Sequence, residues 1–178
     1  MNMVIRDETV ADERAIFQLT KRAFAPMPFS AGDEQHLINA LRNSGALAIS
    51  MVAAQGERVV GHIAFSPAKC SDQDDNWFAL GPVAVEPDLQ GQRIGSALIE
   101  AGIQRLKNID ASGCILTGDP NFYSRFGFKP FPALCPPGEP PEYFMMLPLL
   151  CASPCEVVQF HPLFHSAADG VPPPVEAP

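Results

Sequence analysis

The chain has 178 residues, 47% of them apolar and 18% charged, with a formal net charge of −8, which is the size and composition of one globular domain able to bury a core. The negative balance excludes nucleic acid and anionic membrane surfaces as main partners, because both are held by clustered Lys and Arg. It leaves room for a small anionic ligand at a helix N-terminus, where backbone amides rather than net charge do the holding.

Arg6, Asp7 and Glu8 interrupt the start of the chain, so no secretory signal is visible and a cytoplasmic location is expected. Residues 4–6 read as an opening strand. Thr9 or Asp12 then caps a helix whose Ile16, Leu19, Ala23 and Phe24 recur at helical spacing, and Pro26 and Pro28 stop it. Asp33 and Glu34 open a second helix through Leu37, Ile38 and Leu41, closed by Gly45. Residues 46–54 and 58–66 flank Gly56 as a hairpin. The next strand, 77–85, contains Gly81-Pro82, a pair that marks a bulge or a deliberate break in pairing.

Residues 91–108 make the strongest helix. Arg93, Ser96, Glu100, Gln104 and Lys107 share one side, and a wide apolar arc suits the other to a sheet. A strand over 114–118 follows, then a short helix from Asp119-Pro120 to Phe126, ended by Gly127, and a strand over 128–131. Further strands are expected at 143–150 and 156–160. The order is a mixed α/β arrangement, not a regular βαβ alternation.

Composition changes beyond Lys129. Thirteen of the 19 prolines lie from Pro130 onward, and the last 49 residues carry five acidic groups and no Lys or Arg. Phe131, Tyr143, Phe144, Phe160 and Phe164 interleave with those prolines, which argues against pure disorder and against a proline-rich ligand. Residues 1–131 are therefore expected to be the body of the domain. Residues 132–165 are expected to be a folded extension that walls the substrate side, and 166–178 a disordered end. The longest apolar run, 144–152, is interrupted by Pro148 and too short to span a bilayer.

The stretch from Leu80 to Leu98 carries the chemistry. A broken strand feeds a Gly-containing loop, Gln90-Gly91-Gln92-Arg93, which feeds the strong helix at Ile94-Gly95-Ser96. First-turn amides have no intrahelical partner, and with the helix dipole they make an anion site. Taken alone, the spacing fits an ordinary βα turn equally well.

Gln90-Gly91-Gln92-Arg93-Ile94-Gly95-Ser96 resembles the acetyl-CoA pyrophosphate loop of the GNAT superfamily of N-acetyltransferases, Gln/Arg-x-x-Gly-x-Gly/Ala, with Arg93 standing where that pattern has its first glycine. Tyr123-Ser124-Arg125-Phe126-Gly127-Phe128 is similar to the family's Tyr-x-x-x-Gly-Phe signature. Gly61-His62-Ile63-Ala64-Phe65-Ser66 and Gly118-Asp119-Pro120 look most like its YhbS-like bacterial branch.

The resemblance implies a central mixed, mostly antiparallel twisted sheet flanked by helices and splayed between its fourth and fifth strands. It implies acetyl-CoA as donor, held by Val83, Ala84 and Val85, by residues 90–96, and by Asn121 and Arg125, with no metal. It implies direct attack of a primary amine, from a small molecule or a protein, through a tetrahedral intermediate. Tyr123 would protonate the departing thiolate, whose thiol has a pKa of about 8.5. Glu34 is the first candidate to hold the amine or relay its proton, ahead of Asp33, His62, Ser66 and Asp119. A helix-end charge meeting the dipole explains Glu34 equally well. The alternative is a non-catalytic acetyl-CoA sensor of the same fold, and a homodimer through the late strands is compatible with the sequence.

Cys151, Cys155, His161 and His165 have zinc-like local spacings. Only five residues separate Cys155 from His161, and Pro154 and Pro162 oppose closure, so no metal is expected. The odd count and scattered spacing of Cys70, Cys114, Cys135, Cys151 and Cys155 predict free thiols.

Overall fold

The computed structural model describes residues 3–28, 30–70, 76–150 and 158–165. Thr9 starts a short 3-10 turn at Val10–Asp12, and Asp12 then stands at the N-cap of α1 (Glu13–Phe24). Both expected caps are thus used in succession. α2 (Glu34–Asn43) begins after Asp33, and Gly45, with φ +74°, follows its end.

The strands are β1 (Met3–Asp7), β2 (Ile49–Gln55), β3 (Arg58–Cys70), β4 (Trp77–Val85), β5 (Gly113–Thr117), β6 (Lys129–Pro130), β7 (Phe144–Pro148) and β8 (Val158–Gln159). They form one sheet in the order β1-β2-β3-β4-β5-β7-β6, with β8 on the end of β3. Every pairing is antiparallel except β4 with β5. Helices α3 (Ile94–Asn108) and α4 (Pro120–Tyr123) complete the fold.

Two features of β4 position the site. Ile63 pairs with Val83 and Phe65 with Leu80, so Gly81 and Pro82 bulge opposite Ala64. The parallel pairing to β5 covers only residues 77–79 against 113–115. Beyond Ala79 the two strands part, which is the expected splay.

α3 lies on one face of the sheet, and two glycines set its distance. A Cβ on Gly61 would meet Leu98 and Ile94 at 2.9 and 3.0 Å, and one on Gly102 would meet the Phe65 ring at 2.4 Å. Ile63, Phe65, Val83, Val85, Leu98 and Ile99 fill this core. The other face carries α1 and α2 over Val52, Val59 and Ala84. Farther along that face, Phe144, Met146, Val158 and Phe160 pack over Ala68, Trp77 and Ala79.

Cys114 and Cys135 are free thiols. Cys70 is disulfide-bonded, which corrects the expectation of a free thiol there. Its strand end pairs with β8, with Val158 opposite Cys70. Cys151, Cys155 and the expected disordered end 166–178 lie outside the described residues.

Candidate active site

Among the described residues, the parting of β4 from β5 leaves residues 80–85 with no strand beside them on that side. Val83, Ala84 and Val85 are buried, and their side chains are already committed. Val83 and Val85 pack under α3, and Ala84 packs under α1. Only their backbone is free to meet a ligand.

The chain leaves β4 through a 3-10 turn at Pro87–Leu89. Gln90 Nε2 donates back to the Val85 carbonyl at 3.3 Å. Gly91 and Arg93 are both left-handed, with φ +76° and +65°, so the loop curls before α3 starts. The helix begins at Ile94 rather than at Gly91 for that reason. Among the described residues the amides of 91–96 have no acceptor, and the helical ones cannot find one within α3. Gly91, Gln92 and Arg93 are exposed, Gln90 and Ser96 half-buried, and Ile94 and Gly95 buried. The result is an amide cradle at the positive end of a 15-residue helix, suited to a diphosphate.

This geometry explains why the related pattern has glycine where this chain has Arg93. A left-handed residue with a Cβ costs about 1–2 kcal/mol. Arg93→Gly should raise stability by about 0.5–1 kcal/mol after the added chain entropy of glycine, read as a higher melting temperature of the free protein. A lower one would show that the guanidinium makes a contact stronger than that strain.

Across the opening, β5 leads through Gly118 into α4. Asp119 Oδ1 accepts from the Asn121 amide at 2.9 Å and caps the helix, which gives that candidate acid a structural task. Tyr123 is only 2% exposed and packs edge-on against Phe122 and Phe128. Gly118 makes room for it, since a Cβ there would lie 2.4 Å from the Tyr123 ring. Burial, with Cys114 and Asp119 nearby, pushes the phenol up, so it keeps its proton at neutral pH. Asn121 and Arg125 are exposed on the same short segment. The Arg125 guanidinium stacks 4.4 Å from the Phe122 ring centre.

Two ion-pair systems tie α1 and α2 to the sheet. Glu86, buried just past β4, accepts from Arg22 of α1 at 2.5 and 3.3 Å, and so ties the start of the amide loop to the opposite face. Glu8 accepts from Arg42 of α2 at 2.9 and 3.0 Å and from the Ser50 hydroxyl. Ser50 Oγ lies 2.8 Å from His62 Nε2. An open cleft of about 300 Å³ runs beside Glu8, Arg42 and Ser50.

Burial pushes His62 below its ordinary 6.5, with Glu8 opposing. Burial would raise Glu8, but nearby His62 and the hydrogen bonds from Arg42 and Ser50 outweigh it and hold the carboxyl at about 2. Both groups bind protons less readily folded than unfolded, so their contribution is complete above pH 6.5 and lost on acidification. The loss begins as pH falls below 6.5 for His62 and runs from 4.5 to about 2 for Glu8. Thermal melts from about pH 8 to about pH 3 should show both steps, and His62→Gln should lack the first.

Of the acceptor-side candidates, Glu34 opens α2, with Oε1 accepting from Ser30 Oγ at 2.5 Å. Asp33 is its N-cap residue without a side-chain capping bond. His62 and Ser66 are buried on β3. The structural roles of Glu8, Arg42, Ser50, Glu86 and Gly118 were not read from the sequence. Their partners lie up to 64 residues away, and no local pattern announces them. Among the described residues no three His, Cys, Asp or Glu side chains gather as metal ligands, and no helix is long and apolar enough to cross a membrane.

A family description of a GNAT acetyltransferase domain matches residues 47–130. The chain is 34% identical over 128 residues to the uncharacterized N-acetyltransferase YhbS of Escherichia coli K12, covering 71% of this chain and 74% of that protein. It superposes on a GNAT family acetyltransferase from Brucella melitensis in complex with acetyl-CoA, with a TM-score of 0.81, 39% identity and coverage of 92% and 98% of the two chains. It superposes equally well on Escherichia coli YhbS in complex with CoA, with a TM-score of 0.83, 28% identity and coverage of 96% and 95%. The amide cradle at residues 91–96 and the β4 edge that faces away from β3 beyond Ala79 suit the diphosphate and the extended arm of such a ligand.

Proposed function

The chain belongs to the GNAT acetyltransferase family, and we propose that it transfers an acetyl group from acetyl-CoA to a primary amine of a small molecule or protein. The observation that carries this reading is Tyr123. A buried phenol, kept protonated by its surroundings, stands on α4 across the parted strands from the amide cradle. A sensor that only held the ligand would have no use for a proton donor there.

Acetyl-CoA supplies the activated thioester acyl group. The amides of residues 91–96 hold its diphosphate, with Arg93 adding positive charge at the rim. The backbone edge of Val83, Ala84 and Val85 that faces away from β3 aligns its arm, and Asn121 and Arg125 flank it from α4. Tyr123 gives its phenolic proton to the departing sulfur. Glu34 holds the incoming amine. Thiol release from acetyl-CoA across a panel of amines, set beside a thermal-shift measurement of acetyl-CoA binding, tests the whole reading. Release with at least one amine is expected. Tight binding with no release on any amine would assign the chain to the sensor class.

A further inference from the structure

The amide loop has little hold on itself. Among the described residues its amides 91–96 have no acceptor, and two of its residues, Gly91 and Arg93, are left-handed. The bond from Gln90 back to the Val85 carbonyl is long, at 3.3 Å. Unpaired donors grip an anion well only if they converge before it arrives, because ordering them on binding costs affinity. The entry to the loop must therefore be held from outside it.

Glu86 stands at that entry, between the end of β4 and the turn at Pro87–Leu89. It is 5% exposed, and a carboxylate is almost never so buried unless it is paired. Its main chain is fixed on both sides. The Glu86 amide donates to the Val60 carbonyl at 3.0 Å, and its carbonyl accepts from the Leu89 amide at 2.8 Å. Pro87 then fixes the next backbone angle. Both carboxylate oxygens are held as well. Arg22 Nη2 donates to Oε1 at 2.5 Å and Arg22 Nε to Oε2 at 3.3 Å. Arg58 Nη2 lies 3.9 Å from Oε1 and 3.8 Å from Asp88 Oδ1 in the turn. Arg22 belongs to the last turn of α1. One buried carboxylate thus joins α1, β3 and the turn that leads to the cradle.

A buried ion pair is weak evidence of a gain in stability, since desolvation offsets most of its attraction. What it does supply is direction. The planar fork of arginine fixes the plane of a carboxylate as well as its position. Here the carboxylate belongs to the residue at which the chain leaves β4. We propose that Glu86 and Arg22 are positioning residues for the cofactor: their two-point pair sets the exit from β4 so that the amides of 91–96 converge on the diphosphate. They act through the loop and not on the reacting atoms. This role rests on the diphosphate site of the reading above, not on transfer itself.

Calorimetric titration of the full-length protein with CoA, beside steady-state kinetics with acetyl-CoA, tests it. Arg22→Ala and Glu86→Gln should each weaken CoA binding about tenfold and raise KM for acetyl-CoA to match, with kcat within about twofold. Arg22→Lys keeps the charge and loses the fork, so it should fall between. The double variant should bind CoA no more weakly than the weaker single one, because its second change removes a partner already lost. S-acetylpantetheine keeps the thioester and the arm but lacks the diphosphate. Every variant should use it with kcat/KM within about twofold of the unsubstituted protein. If Arg22→Ala fails to fold, Arg22→Lys and Glu86→Gln carry the same comparison. Unchanged CoA affinity in the folded variants would overturn the positioning role. So would equal losses with acetyl-CoA and S-acetylpantetheine, or additive losses in the double variant, each of which would assign the pair to the fold alone. Absence of thiol release with every amine would overturn acetyl transfer and leave the CoA titrations to decide the pair.

Discussion

Tyr123→Phe should lower kcat for acetyl transfer by about 10²–10³-fold while leaving KM for acetyl-CoA within about twofold. The substitution deletes one oxygen and keeps the ring. That ring is held by Phe122 and Phe128, and by the absence of a side chain at Gly118, so the fold has no reason to change. The hydroxyl makes no hydrogen bond among the described residues, so the melting temperature should hold or rise slightly. What is lost is the proton. A thiol with a pKa of about 8.5 leaves as a thiolate, and its expulsion from the reacting centre is easier when a donor meets it. Burial raises the phenol's pKa, so the group enters the reaction protonated. Steady-state kinetics with any accepted amine decide the matter. Unchanged kcat would remove the acid role and leave Tyr123 as a packing residue.

The parts of this site that were readable in the sequence are those whose signal is local. A loop with Gly91 leading into a helix that carries Gly95 in its first turn and a wide apolar arc is a short-range pattern, and so is a tyrosine followed by Gly127-Phe128. Gly81-Pro82 announced the bulge because neither residue suits a central strand. The point at which α3 begins was displaced by three residues, because the left-handed turn at Arg93 is a backbone property that arginine does not advertise.

The supports were not readable. Arg22 reaches Glu86 across 64 residues, and Arg42 reaches Glu8 across 34. Each pair reads in sequence as solvated charge. Only the packing of α1 and α2 onto the sheet brings them together. The same holds for Gly118, whose small size matters because of a ring five positions later. Thr20, Gln35 and Ser66 read as unremarkable polar positions until their burial is known. Local backbone geometry was thus legible where its pattern is short-range, and side-chain partnerships were invisible where they depend on which faces meet.

Ending the chain after Phe131 should abolish folding, not merely trim the substrate side. β7 runs between β5 and β6, paired with β5 from Gly113↔Pro148 to Thr117↔Phe144. Its removal would expose the far edge of β5 and leave β6 without its partner. It would also delete Phe144, Met145 and Met146, each 0% exposed. At about 1.5–3 kcal/mol for each buried side chain, these three alone approach the whole stability of a domain, about 5–15 kcal/mol. The parted strands also depend on β7. β5 touches β4 over only three residue pairs, so its position is set largely from the other side, and with it that of Gly118, α4 and Tyr123. The expected result is an insoluble or molten product without a cooperative thermal transition. Phe144→Ala gives a graded version, costing about 3–5 kcal/mol in a chain that still folds if its margin allows. A truncated protein that melts cooperatively and still releases thiol would show that β5 and α4 hold their place without the proline-rich extension, and that the extension acts on the acceptor alone.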